Sequence, residues 1–203
     1  AAKFSFVAFS LAGDQVLVTL FLSAVVTIIL GLGMPTPSAY VLAAVLVGPT
    51  LVNDYGFQEL NAHLFLLYFA VMSAMTPPVA VAAYAAAAIS GANPLRIAVI
   101  SMRFSIVAFI VPFIFVLNPL LLTPIASPQA IAVCLATVLA CTLIAVASEI
   151  WWLDKLSGSI RAAMVLAALA LSVPYMSWKL LGAAIGLGLL IHCYRGYKNY
   201  RFQ

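Results

Sequence analysis

The sequence predicts an all-α polytopic membrane protein, and three observations support this fold class. Of the 203 residues, 66% are hydrophobic and only 7% are charged, whereas an average soluble domain is about 45–50% apolar and about 25% charged. The mean hydropathy is +1.20. Long apolar runs recur along the chain, separated by Pro- and Gly-rich breaks, at roughly the spacing set by about 20 residues per membrane crossing. This composition excludes a soluble domain.

The first apolar segment, about residues 16–47, is predicted to be a re-entrant helical hairpin. Its first arm carries no charge and ends in the sequence Gly31-Leu32-Gly33-Met34-Pro35-Thr36-Pro37. Proline removes a backbone donor and clashes with the preceding turn, so the helix must end there. The second arm has only about 10 apolar residues, too few to cross a bilayer. We therefore expect the chain to return to the side from which it entered.

The second apolar segment, about residues 62–90, is predicted to be a discontinuous transmembrane helix. Thr76, Pro77 and Pro78 lie in its middle, and two successive prolines remove two backbone hydrogen bonds of the helix. The half that follows is rich in alanine, which permits close contact with another helix.

A single helix is expected over about 95–117, ended by Asn118 and Pro119. Three ordinary apolar segments follow at 128–152, 160–173 and 178–194. We therefore divide the chain into a first region, 1–122, which contains the two broken elements, and a C-terminal extension, 123–203, of about three further transmembrane helices. The exact crossing of residues 160–194 is left open because Pro174 interrupts that part.

The net charge of +4 is interpreted as a signal of membrane topology rather than of nucleic-acid binding, since cytoplasmic loops are enriched in Lys and Arg. If the basic C-terminal tail is cytoplasmic, counting crossings backwards places most basic residues on the same side. That set is Arg96, Arg103, Lys155, Arg161, Arg195, Lys198 and Arg201, and Lys179 is an exception. Arg96 and Arg103 share a helix face; we interpret them as snorkelling side chains, with contact to a substrate anion as the alternative.

The two breaks share a local sequence, Met34-Pro35-Thr36-Pro37 and Met75-Thr76-Pro77-Pro78, in which Thr-Pro recurs at an offset of 40 residues. Each break offers unpaired carbonyls and a hydroxyl, which suit Na⁺, and helix N-termini, which attract carboxylates. Paired discontinuous helices are the best sequence indication of a transporter's binding site. Two proline kinks in a generic membrane protein are the alternative.

Three stretches resemble the end of the large membrane subunit of TRAP transporters, most closely the fused permeases of the TAXI type. They are GLGMPTPSAYVLAAVLVGPTLV (31–52), AHLFLLYFAVMSAMTPPVAVAAYAAAAISGANP (62–94) and FIVPFIFVLNP (109–119). The similarity covers roughly residues 5–122, and the three later segments resemble the C-terminal extension of those permeases. Since residue 1 is Ala and not Met, we expect a C-terminal fragment of a longer protein.

The resemblance implies a sodium-coupled secondary transporter of the elevator type that is built from inverted repeats, and this chain would be half of that transporter. It would import small organic acids across the inner membrane of a bacterial or archaeal cell, with Na⁺ as coupling ion and no other cofactor. The implied partners are a periplasmic solute-binding protein, the lipid bilayer and the N-terminal half of the permease with its fused small-subunit helices. No nucleic acid is expected, and the C-terminus would be cytoplasmic.

The resemblance also assigns site residues, none of them catalytic. Na⁺ would be bound by Gly31, Gly33, Pro35, Thr36, Ser73, Met75 and Thr76, and the substrate by Thr36, Pro37, Thr76, Pro77 and Pro78. With only His63 and His192 there is no HExxH motif, and there is no GxSxG, so an enzyme is not expected. A different sodium-coupled anion transporter and a non-transporting structural subunit remain open alternatives.

Overall fold

The computed structural model describes residues 15–122, 127–149, 151–152, 154–173 and 175–201, and nearly all of these are helical. Helices 128–148 and 176–193 are long and apolar enough to cross a membrane, and a bent helix pair could provide a third span. The prediction of an all-α polytopic membrane protein is confirmed. The chain forms two compact units and passes from one to the other at Ser105, earlier than residue 122, where the sequence places the start of the C-terminal extension.

The first unit contains the two elements that the sequence predicts to be broken. Its helices are α1 (Val16–Gly31), α2 (Thr36–Leu46), α3 (Glu59–Met72), α4 (Val81–Ser90) and α5 (Pro94–Phe104), with a π-helical turn at Thr50–Asp54 and a 3₁₀ turn at Ser73–Met75. Helices α1 and α2 are the two arms of the hairpin, and neither has the length of a membrane span. Helices α3 and α4, separated by the 3₁₀ turn, form the discontinuous helix.

Small residues allow α1 to pack closely against its neighbours. Thr19, Ser23, Thr27 and Gly31 recur every four residues, so they lie on one helix face, and all four are buried. The Thr27 hydroxyl donates to the carbonyl of Ser23 at 2.7 Å, so this polar group is satisfied within its own helix. Helix α1 contacts α2, α3 and the 3₁₀ turn, which is the packing that a ridge of small residues permits.

The helix predicted over about 95–117 is divided in the structure. Helix α5 ends at Phe104, and Ser105 has φ −92° and ψ 12°, values of the sparsely allowed bridge region that do not continue an α-helix. A separate helix, α6 (Ile106–Leu117), follows. The interruption contains neither proline nor glycine, which is why the sequence did not reveal it.

The second unit consists of α6, a 3₁₀ turn at Pro119–Leu121, α7 (Pro128–Ser148), α8 (Gly158–Ser172) and α9 (Met176–Arg201). Two short strands, Trp151–Trp152 and Asp154–Lys155, pair antiparallel between α7 and α8, so the helix expected to reach residue 152 ends at Ser148. Helix α8 has 15 residues, and its crossing of the membrane stays a prediction. Its buried side chains pack with those of α7.

Glycines of α9 permit close contact with the two preceding helices. A Cβ atom added at Gly182 would lie 2.8 Å from the carbonyl oxygen of Ala167 on α8, and one at Gly186 would collide with Leu143 on α7. Gly182 and Gly186 form a GxxxG pair, the spacing that places two small residues on one face of a membrane helix. At Gly188, in contrast, an added Cβ would meet no atom within 4 Å.

Lys179, the exception to the predicted topology, has a buried side chain. Its side chain is only 4% exposed, and its ammonium donates to the Asn118 side-chain oxygen at 3.2 Å and to the carbonyl of Leu171 at 3.1 Å. The Asn118 amide in turn donates to the carbonyls of Ile114 and Ser172, each at 3.0 Å. Lys179 is therefore part of the packing of the second unit, and its charge is not displayed to a loop.

Arg161 makes a similar contact at the other end of α8. Its Nε donates to the carbonyl of Ala147, near the C-terminus of α7, at 2.7 Å. Arg161 and Lys179 are both the fourth residue of their helices, and each binds a carbonyl in the last turn of the preceding helix. A cation at a helix C-terminus is stabilising because the macrodipole is negative there.

We predict that Gly182→Ala destabilises the second unit and Gly188→Ala does not. The new methyl at residue 182 must displace a backbone carbonyl, and overpacking of this kind costs about 1–3 kcal/mol. Thermal unfolding of the two variants in the same detergent measures the difference. Equal melting temperatures would show that α8 and α9 are not packed as described.

We predict that Asn118→Ala lowers the free energy of unfolding by about 2–4 kcal/mol, since it leaves the buried Lys179 ammonium without one of its partners. The double variant Lys179→Met with Asn118→Leu should recover most of this loss, because apolar groups can replace a buried polar pair. Denaturant titration of the wild type, Asn118→Leu, Lys179→Met and the double variant gives the coupling energy. Additive losses would contradict a direct interaction.

Candidate functional site

The tip of the hairpin is a tight turn between α1 and α2 that contains two glycines. Gly31 is the last residue of α1, and Gly33 has φ +78°, a left-handed conformation that glycine adopts without steric cost. Pro35 is the N-cap of α2, and Thr36 and Pro37 are its first two residues. Since Pro35 has no amide hydrogen, the Gly31 carbonyl instead accepts from the amide of Met34 at 3.2 Å.

The break in the second element has its own substitutes for lost helical hydrogen bonds. Pro77 and Pro78 have no amide hydrogens, so they cannot pair with the carbonyls of the preceding turn. The amide of Thr76 donates to the Ser73 carbonyl at 3.2 Å, and its hydroxyl donates to the Met72 carbonyl at 2.8 Å. The Pro77–Pro78 peptide bond is cis, and Ala80, with φ 38°, precedes α4 in a left-handed conformation.

The two breaks meet at Gly31 and Ser73. The Ser73 hydroxyl lies 3.1 Å from the Gly31 carbonyl oxygen and 2.7 Å from that of Ala70, and these two acceptors share its single proton. A Cβ at Gly31 would lie 2.8 Å from the Cβ of Ser73 and 3.3 Å from that of Ala39. Only glycine fits this contact, which joins residues 42 apart in the sequence.

The structure brings together some of the predicted site residues and places others at the edge of the junction. A Cβ on Gly33 would be 3.7 Å from Val79, so the tip also adjoins the residue after the tandem prolines. Of the predicted residues, Gly31 and Ser73 are buried, Thr36, Met75, Thr76 and Pro77 are half-buried, and Gly33, Pro35, Pro37 and Pro78 are exposed. The junction therefore has a buried centre and an accessible rim.

The oxygen atoms of this junction are neutral carbonyls and hydroxyls. In the part of the chain that the structure describes, no group of three or more His, Cys, Asp or Glu side chains could hold a metal ion. The polar atoms of Gly31, Ser73 and Thr76 described above are carbonyl and hydroxyl oxygens, which carry no formal charge. Such ligands are typical of the unwound segments that coordinate Na⁺ in transporters.

The sequence did not reveal two contacts between the helices of the first unit. Tyr40 on α2 and His63 on α3 are linked by a hydrogen bond of 2.9 Å between the phenol oxygen and Nδ1. Ala80 is completely buried and packs with Ala83 and Ala98. Neither contact has a local sequence signal, since the partners are 23 residues apart in the first case and come from two helices in the second.

An open groove of about 460 Å³ begins beside the tip and runs along α2. It is lined by Pro37, Ser38, Val41, Leu42 and Val45. Pro37 belongs both to the tip and to this groove, so the rim of the junction continues into an apolar surface.

Discontinuous helices that meet at their breaks are a feature of many secondary transporters. The chain matches the model of one transporter family, the tripartite ATP-independent periplasmic transporter, DctM component, over residues 1–130. This match covers more than half of the 203 residues, and the protein therefore belongs to the DctM family of TRAP transporter large components. No curated protein and no solved structure matches the chain. The predicted resemblance to a TRAP large subunit is thus confirmed.

We predict that Gly31→Ala separates the two breaks and lowers the melting temperature, whereas Gly48→Ala is tolerated. A methyl at residue 31 would overlap Ser73, but one at residue 48 would lie 3.8 Å from Leu66, an ordinary contact. Overpacking at residue 31 should cost about 1–3 kcal/mol. Thermal unfolding of both variants tests this, and a Gly31→Ala protein as stable as Gly48→Ala would rule out the contact.

Proposed function

We propose that the protein is the membrane permease component of a sodium-coupled, binding-protein-dependent TRAP transporter that imports organic acids across the inner membrane. Membership of the DctM family supports a transport role, and the junction of Gly31 with Ser73 supports the position of the site. At this junction two helices lose their regular hydrogen bonds at the same place. We therefore assign one Na⁺ site to the hairpin tip and the helix break, with Gly31, Gly33, Pro35, Thr36, Ser73, Met75 and Thr76 as its residues.

The physical argument for sodium is the supply of oxygen ligands in a setting poor in water. The carbonyls that prolines leave without helical partners are held by weak substitutes, such as the hydroxyls of Ser73 and Thr76. A hydroxyl can keep its donor bond and present its lone pairs to a cation. Na⁺ binding would thus require little rearrangement, and it would tie the hairpin to the discontinuous helix.

The argument for a carboxylate substrate rests on the helices that begin at the breaks. Helix α2 begins at Thr36 and α4 at Val81, and neither has an acidic residue in its first turn or a side-chain cap. Such N-termini carry unpaired amides and a partial positive charge, and both attract an anion. We place the substrate carboxylate near Thr36, Pro37, Thr76, Pro77 and Pro78.

The remaining parts of the proposal follow from the family. A periplasmic solute-binding protein would deliver the organic acid, and the TAXI type is favoured by the fused C-terminal extension. The other half of the site would come from the N-terminal half of the permease with its fused small-subunit helices. The positive-inside rule places the C-terminus of the chain in the cytoplasm.

We predict that Thr76→Ala raises the sodium concentration needed for half-maximal uptake by roughly tenfold, because loss of about 1.4 kcal/mol of binding free energy weakens affinity by that factor. Thr142→Ala is the matched control. Both hydroxyls donate to the carbonyl four residues earlier at 2.8 Å, but Thr142 is exposed on α7. The measurement is uptake of organic acids by proteoliposomes that contain the intact permease, with and without its binding protein, under an imposed Na⁺ gradient. Thr36→Ala tests the hairpin side in the same way.

Each possible result of this experiment tests a different part of the proposed function. Uptake that needs sodium and the binding protein, weakened by Thr76→Ala or Thr36→Ala but not by Thr142→Ala, supports all of it. Uptake without the binding protein would indicate a different sodium-coupled anion transporter. Unchanged sodium dependence in both site variants would remove the assigned Na⁺ site, and no uptake under any condition would favour a structural subunit.

A further inference from the structure

Helix α5 is an amphipathic helix that ends at Phe104 and is separated from α6 by Ser105. It has 11 residues and is therefore about 16 Å long, roughly half of the hydrocarbon thickness. Its axis is bent by 117° from that of α4. If α4 lies along the membrane normal, α5 lies within about 30° of the membrane plane.

One face of α5 is fixed to the helix break. Ala98 is completely buried and packs against Ala80 and Ala83, and α5 also contacts the 3₁₀ turn at Ser73–Met75. The start of the helix is held by Asn93, whose side-chain oxygen accepts from the amides of Leu95 at 2.9 Å and Arg96 at 3.2 Å. The orientation of α5 about its own axis is therefore determined.

The opposite face presents two arginines between large apolar side chains. Arg96 and Arg103 are seven residues apart and both are exposed. On either side of them lie Val99, which is 60% exposed, and Phe104, which is 69% exposed. Leu95 and Ile100 are exposed beside them.

This face is unfavourable both in bulk water and in the membrane interior. Water would leave its four large apolar side chains hydrated, and the membrane interior would impose a large cost on each guanidinium. The membrane interface satisfies both groups, because apolar side chains enter the acyl region while arginines reach the headgroups. A guanidinium also binds phosphate oxygens through two parallel hydrogen bonds.

We propose that this face of α5, formed by Leu95, Arg96, Val99, Ile100, Arg103 and Phe104, lies in the membrane interface and binds anionic phospholipid headgroups. The positive charge and the apolar flanks together match a lipid, which offers a phosphate and acyl chains at the same place. The surface shares no residue with the sodium and substrate sites proposed above. Since α5 packs against Ala80 and the 3₁₀ turn, a bound lipid would stabilise the position of the helix break.

Native mass spectrometry of the purified protein tests the proposal with phosphatidylglycerol and phosphatidylcholine of identical acyl chains. A basic residue near an anionic surface strengthens association roughly fivefold, so the pair contributes roughly 25-fold. The preference of the wild type for phosphatidylglycerol should fall by about this factor in Arg96→Gln with Arg103→Gln. The matched variant Arg96→Lys with Arg103→Lys retains both charges and should keep most of the preference.

The single variants Arg96→Gln and Arg103→Gln, each with an intact helical circular dichroism spectrum, provide intermediate values if the double variant does not fold. In the wild type the preference should also weaken as salt is raised. An unchanged preference in the Gln variants, or one insensitive to salt, would overturn the proposal. So would displacement of phosphatidylglycerol by soluble organic acids or inorganic phosphate at millimolar concentration, since that result would assign the arginines to a solute anion.

Discussion

Proline has no amide hydrogen, and in a membrane a backbone carbonyl without a partner is costly. The first unit is organised around this constraint. Its chain contains prolines in the middle of two apolar segments, and the carbonyls released in one segment are satisfied partly by the other, as in the hydrogen bond from Ser73 to Gly31. The hairpin and the discontinuous helix therefore depend on each other, and neither would be stable at membrane depth alone.

Close approach is the second condition for this mutual pairing. A hydroxyl of Ser73 reaches the Gly31 carbonyl only because Gly31 has no side chain and Ala39 has a small one. Small side chains also allow close packing at Ala80, Ala83 and Ala98, where α4 and α5 meet. Small residues therefore serve polar satisfaction here as much as they serve van der Waals packing.

The sequence was informative wherever a single residue type enforces local geometry. Prolines and glycines located the tip at 31–37 and the break at 76–78, and the structure has its turns at these residues. It was uninformative where the cause lies in tertiary contacts. Ser105 interrupts a helix without a proline, and the partners Asn118 and Lys179 are 61 residues apart. The shared Thr-Pro predicts that the two breaks are related, but their contact is made by Gly31 and Ser73.

Lys179 also has a consequence for the biogenesis of the protein. The N-terminal part of a chain is synthesised first, so Asn118 and the end of α8 leave the ribosome before α9. Both acceptor oxygens of the Lys179 ammonium therefore belong to residues that are made before Lys179 itself. The position of the last helix is thus fixed in part by its contacts with earlier parts of the chain.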